Sequence, residues 1–119
     1  MVRLEMTKGD FVDLWDCCVD VSNTGGTRLL RETAAFYASR MAYFLGTYRS
    51  MSRKVVLSLS MSEDTVYKLI DIVDFSFRRE ISRRRAELYL YFRGCLESLV
   101  CKRYEDGSLI ESNGESRAE

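Results

Sequence analysis

Residues 54–69, KVVLSLSMSEDTVYKL, change rhythm in the middle. As far as Met61 the apolar residues fall on every second position (Val55, Leu57, Leu59, Met61), the period of a strand with one buried face. From Val66 onward they fall at Val66, Leu69, Ile70 and Val73, the period of an amphipathic helix. Ser62 stands at the junction, where a helix N-cap is wanted. The stretch therefore predicts a strand over 55–61 running directly into a helix over 63–74.

The same pattern occurs earlier in the chain. A shift of 55 lays VRLEMTKGDFVDLWDCCV (2–19) on LSLSMSEDTVYKLIDIVD (57–74), with Met6 on Met61, Leu14 on Leu69, Asp16 on Asp71, and Thr7 on Ser62. This predicts a strand near 2–6 and a helix near 8–21. Further along, a shift of 48 aligns RETAAFYASRMAYFLG (31–46) with REISRRRAELYLYFRG (79–94), with six identities in sixteen positions. The change of shift implies seven extra residues in the first copy, and the turn-rich SNTGGT (22–27) is the expected place for them. The second helix of copy one is then expected over 28–46, and that of copy two from Ser76 or Phe77. In the former, Leu30, Ala34, Tyr37, Met41, Phe44 and Tyr48 form a packing seam. Ala34, Ala38, Ala42 and Gly46 add a ridge of small residues.

A lone strand cannot satisfy its backbone groups or cover its apolar face. Each copy supplies one strand, so the economical solution pairs the two, antiparallel, over the helices. The connector TYRSMSRK (47–54) reaches about 26–29 Å when extended, enough for pairing within one chain. The expected fold is mainly α with a two-stranded antiparallel ribbon. Its first repeat covers 1–50, its second with extra C-terminal helix covers 51–104, and a polar, acidic tail covers 105–119, where disorder is expected.

Composition narrows the function classes. The 119 residues are 46% hydrophobic, enough for a core in one compact unit. No run suits a membrane span or a signal peptide, so a soluble, cytoplasmic protein is expected. The four cysteines (Cys17, Cys18, Cys95, Cys101) include no C-x-x-C pair and the chain has no histidine, which argues against a metal site or Cys–His catalysis. Cys17 and Cys18 read as small core residues. No P-loop or dinucleotide fingerprint is present, so neither an enzyme nor a cofactor or small-molecule substrate is expected. Net charge is zero, but it is arranged in blocks: −3 over 1–26, +5 over 27–54, −3 over 55–76, +5 over 77–103 and −4 over 104–119. Fourteen of the eighteen bases are arginine, the side chain best matched to phosphate.

The two strand–helix–helix copies, carried best by VVLSLSMSEDTVYKLIDIV and less cleanly by VRLEMTKGDFVDLW, resemble the ribbon–helix–helix family of DNA-binding proteins, which includes the Arc and methionine repressors. Most members pair two identical chains. Here the halves look fused in tandem as a pseudo-dimer, an arrangement also found among regulators of archaeal viruses. The resemblance implies a transcription regulator whose ribbon enters the major groove of a double-stranded DNA operator inside a prokaryotic or archaeal cell, with self-association as a homodimer or higher oligomer on DNA. It places base contacts on the outward strand positions Arg3, Glu5, Val56, Ser58 and Ser60, with Thr7 and Lys54 at the strand ends. It places phosphate contacts at the start of each second helix: Thr27 and Arg28 in copy one, and Ser76, Arg78 and Arg79 in copy two. Arg83 to Arg85 fit either DNA contact or a solvated helix face with ion pairs such as Glu80–Arg84 and Arg83–Glu87. Two other readings remain open: an all-helical interaction module in which VVLSLSM ends a helix or links two, and a ribbon–helix–helix antitoxin.

Overall fold

The structure, a computed structural model, describes residues 1–80 and 82–106. In chain order it contains β1 (Val2–Thr7), α1 (Lys8–Thr24), α2 (Arg28–Gly46), β2 (Val56–Met61), α3 (Glu63–Arg79) and α4 (Arg83–Asp106). The order β-α-α thus occurs twice. Residues 55–61 neither end a helix nor link two, as the all-helical reading required: Val56–Met61 is a strand.

The two strands form an antiparallel ribbon in the register Val2↔Met61, Arg3↔Ser60, Leu4↔Leu59, Glu5↔Ser58, Met6↔Leu57 and Thr7↔Val56. Alternation decides which face is buried. Leu4, Met6, Leu57 and Met61 are in the core and Leu59 is half-buried, while Arg3, Glu5, Val56, Ser58 and Ser60 face solvent. Each strand ends in a helix cap. The Thr7 hydroxyl accepts from the Asp10 N–H at 3.1 Å, and the Ser62 hydroxyl accepts from the Thr65 N–H at 3.1 Å. Beyond the caps, Phe11, Leu14, Cys17, Cys18 and Val21 of α1 and Val66, Leu69, Ile72 and Val73 of α3 make the centre of the core.

Gly9 looks like a weak helix residue in the sequence, but its lack of a side chain lets the connector pass close to α1. The 47–55 connector runs back across it: its N–H donates to the Arg53 carbonyl at 2.9 Å, while the Lys8 N–H donates to Val55 at 2.7 Å. A Cβ on Gly9 would meet the Arg53 carbonyl oxygen at 3.3 Å. The Lys8 ammonium donates to the carbonyls of Arg49 and Met51, so the connector lies folded against α1 rather than stretched out.

Helix α2 covers 28–46 as expected, whereas the expectation for the second half of copy two needs correction. Helix α3 does not stop near Asp74; it continues to Arg79, and the last helix begins at Arg83, not at Ser76 or Phe77. Ser76 is buried, 5% exposed, and its hydroxyl meets the Cys17 thiol at 3.2 Å. A single shift of 55 relates α1 to α3 over their full length, and the starts of α2 and α4 as well. The seven-residue insertion at SNTGGT is therefore absent, and the shift of 48 that suggested it matched residue identities that are not in equivalent places. Core positions follow the shift of 55: Phe11 and Val66, Leu14 and Leu69, Cys17 and Ile72, Ala34 and Tyr89, Met41 and Leu96 are all buried. The seam expected on α2 is buried or half-buried along its length. The small-residue ridge divides, with Ala34 and Ala38 in the core and Ala42 and Gly46 exposed. The tail, from 107 onward, lies outside the described residues.

The halves interlock. Tyr37 of α2 meets Thr65 at the start of α3 at 3.4 Å, and Tyr91 of α4 donates to the Asp10 carboxylate at the start of α1 at 3.1 Å. Asp10 and Thr65 are equivalent under the same shift, so each copy's second helix reaches across to the other copy's first. Among the described residues no helix is long and apolar enough to cross a membrane.

Candidate nucleic-acid interface

The outward face of the ribbon carries three opposed pairs, Arg3 with Ser60, Glu5 with Ser58, and Thr7 with Val56. Opposed strands lie about 4.8 Å apart and six residues span roughly 20 Å, dimensions that a major groove about 12 Å wide admits. The Leu4–Leu59 pair has a particular place. These residues are equivalent under the shift of 55 and also stand opposite each other in the register, so a local twofold axis passes between them. That axis relates Arg3 to Ser58 and Glu5 to Ser60. The two halves of the face share a shape and differ in chemistry.

Arg3, Glu5, Ser58 and Ser60 take no side-chain hydrogen bond or ion pair among the described residues, and Val56 is 65% exposed. The face thus offers a guanidinium fork, a carboxylate, two hydroxyls and a pair of methyl groups to whatever approaches it. Thr7 is half-buried and its oxygen is already engaged as the α1 cap. Lys54 lies outside β2, exposed at the end of the ribbon, with its backbone N–H on the Ser52 hydroxyl.

At the start of α2, the Thr27 hydroxyl accepts from the Leu30 N–H at 3.1 Å and its carbonyl accepts from Arg31 at 3.0 Å. Arg28 is exposed and pairs with Glu32 at 2.8 Å. Both residues thus stand at a helix N-terminus as expected, where unpaired N–H groups and the helix dipole favour an anion. The residues expected to do the same in copy two do not. Ser76 is in the core. Arg78 is exposed but sits in the last turn of α3, the negative end of that helix, and pairs with Asp74 at 2.7 Å. Arg79 donates to the Thr24 carbonyl and hydroxyl at 3.1 and 2.9 Å and stacks on Phe75, tying the end of α3 to the end of α1.

The place equivalent to Thr27 and Arg28 is taken by Ser82 and Arg83. The Ser82 carbonyl accepts from Ala86 at 2.9 Å, and Arg83 pairs with Glu87 at 3.5 Å, repeating the Arg31–Thr27 and Arg28–Glu32 contacts. Arg84 is exposed beside them, and Arg85 turns back to Glu80 at 3.6 Å and to the Tyr89 hydroxyl at 3.0 Å. Ser82, Arg83 and Arg84 thus form the basic helix start, with Ser82 six residues beyond Ser76. The signal was present: TRLLRE (27–32) and SRRRAE (82–87) correspond under the shift that already aligned the first helices.

Comparison with protein families, with curated proteins and with solved structures finds no match for this chain.

Proposed function

We propose that the chain is a sequence-specific double-stranded DNA-binding transcription regulator, a tandem ribbon–helix–helix pseudo-dimer acting inside a prokaryotic, archaeal or virus-infected cell. One observation carries the reading: the ribbon buries one face among the helices and leaves the other, with Arg3, Glu5, Val56, Ser58 and Ser60, free in solvent. The local twofold axis at Leu4–Leu59 and the repeated element order support the pseudo-dimer.

In this reading Arg3 takes a guanine through O6 and N7, a bidentate contact worth about 1–3 kcal/mol of discrimination. Ser58 and Ser60 specify less, since a hydroxyl both donates and accepts. Val56 suits a thymine methyl. Glu5 accepts from a cytosine amine or orients Arg3. Because Arg3 is related by the local axis to Ser58, the two half-sites under one chain are unequal. Phosphates are held at the starts of α2 and α4, by Thr27 and Arg28 and by Ser82, Arg83 and Arg84.

Selection from a random duplex pool, with Arg3→Ala and Ser58→Ala alongside, tests this. Recovery of a defined motif that relaxes at one base position in Arg3→Ala is expected. Salt-sensitive binding without a motif would replace base readout by phosphate binding alone. No binding at low salt would overturn the proposal.

A further inference from the structure

The outer face of α2 is an exposed surface that neither the core nor the ribbon uses. At roughly 100° per residue, Leu29, Glu32, Phe36, Arg40 and Tyr43 fall in one stripe along the helix. Its three apolar members are 75%, 53% and 86% exposed for Leu29, Phe36 and Tyr43. The stripe is self-complementary about Phe36, with Leu29 and Tyr43 seven residues to either side and Glu32 and Arg40 four to either side.

We propose that this stripe is the seam through which two copies of the chain associate, with their α2 helices antiparallel about a dyad at Phe36. In that register Phe36 meets Phe36 of the second copy, Leu29 meets Tyr43 twice, and Glu32 meets Arg40 twice. The flanking Thr33, Ala35 and Ser39 are small enough for helices to approach within the usual 8–10 Å. Charge matching selects the second copy over an unrelated partner: the stripe's one acid and one base fall where a dyad brings each to the other. Their present partners are easily exchanged. Glu32 holds Arg28 in an exposed pair, and Arg40 lies 5.3 Å over the Phe36 ring.

The equivalent stripe on α4 reads Arg84, Glu87, Tyr91, Cys95 and Ser98, polar at both ends, with Tyr91 held by Asp10. Of the two equivalent stripes among the described residues, only the one on α2 is therefore such a seam. A dyad uses it up, which gives a closed pair rather than a filament. One helix face falls below the standard interface of about 1,600 Å², so the pair is weak and concentration-dependent. The inference stands on α2 alone and does not depend on the ribbon reading DNA.

Sedimentation velocity on the full chain, over a roughly micromolar to millimolar range, tests it. A monomer–dimer equilibrium is expected. Glu32→Arg alone and Arg40→Glu alone should each weaken it about tenfold or more, because each sets like charges together twice. An equimolar mixture of the two variants should recover association, since every cross pair is again of opposite sign. Phe36→Ala should also weaken it, with circular dichroism showing that all variants keep the wild-type helix content. A wild type that stays monomeric throughout would overturn the proposal, including the case where hydrogen exchange shows the stripe covered by the chain's own 107–119. A dimer indifferent to both charge reversals, or a mixture no better than its parts, would overturn it as well.

Discussion

Ser76 and Cys17 show how far a residue's type can mislead about its place. A serine followed by arginines reads as a helix cap, yet Ser76 is in the core with a thiol as its hydrogen-bond partner. The phase of Val66, Leu69 and Val73 continues onto Ser76, and the shift of 55 sets it on buried Val21, but its residue type hides this; the burial comes from α1 crossing α3 at that point. The thiols have a measurable consequence. Burial pushes the Cys17 thiol from its ordinary 9.0 up to about 11 and raises Cys18 further, the Ser76 contact opposing this only in part. A group with a raised folded-state pKa contributes its stability in full below the unfolded value, and that contribution falls as pH rises toward the folded one. Stability should therefore decline from about pH 9 toward pH 11, with a shallower decline in Cys17→Ala. Denaturation midpoints at roughly pH 8 and pH 10.5 check this.

At the scale of elements, the strands and the first helices were legible because each has one strong period and a capping residue at its start. The second helix of copy two was not. Identities between 31–46 and 79–94 outweighed the alignment that the hydrophobic phase had already set. The corner between α1 and α2 was readable as a turn, but not its tightness. The Gly25 N–H donates to the Val21 carbonyl at 2.7 Å, and a Cβ there would stand 2.6 Å from that same oxygen. Backbone against backbone cannot relax as a side chain can. Gly25→Ala should therefore destabilise the fold by about 1–3 kcal/mol, read from chemical denaturation. The equivalent corner in copy two has Glu80 in place of Gly25, and its N–H bonds to Phe77 at 3.3 Å, so the two corners are built differently.

For the whole molecule, the charge blocks matter through where the fold puts them. Arginines that stand close together in the sequence part company: Arg79 braces the end of α1, Arg78 sits at a helix C-terminus, and Arg83 and Arg84 stand at a helix start. On the proposed function only the last two hold phosphate. Arg83→Ala and Arg84→Ala should each lower the slope of log K against log salt by about 1, while Arg78→Ala should leave it unchanged. Titrations of the full chain against one duplex at several salt concentrations separate the three. Association through α2 would set two unequal ribbons about a dyad, so the occupied site should be palindromic although each half is not.

The two strands, their inward and outward faces and the capped helices that follow them could be read from the residues alone, because period and capping are properties of a few adjacent positions. Packing decided between the two shifts that the residues offered: α3 runs on past Asp74, which buries Ser76 and moves the second basic helix start to Ser82. Those outcomes depend on where α3 ends and what it packs against. That is settled by contacts between residues 59 and 55 positions apart, Cys17 with Ser76 and Thr24 with Arg79, which no local pattern contains.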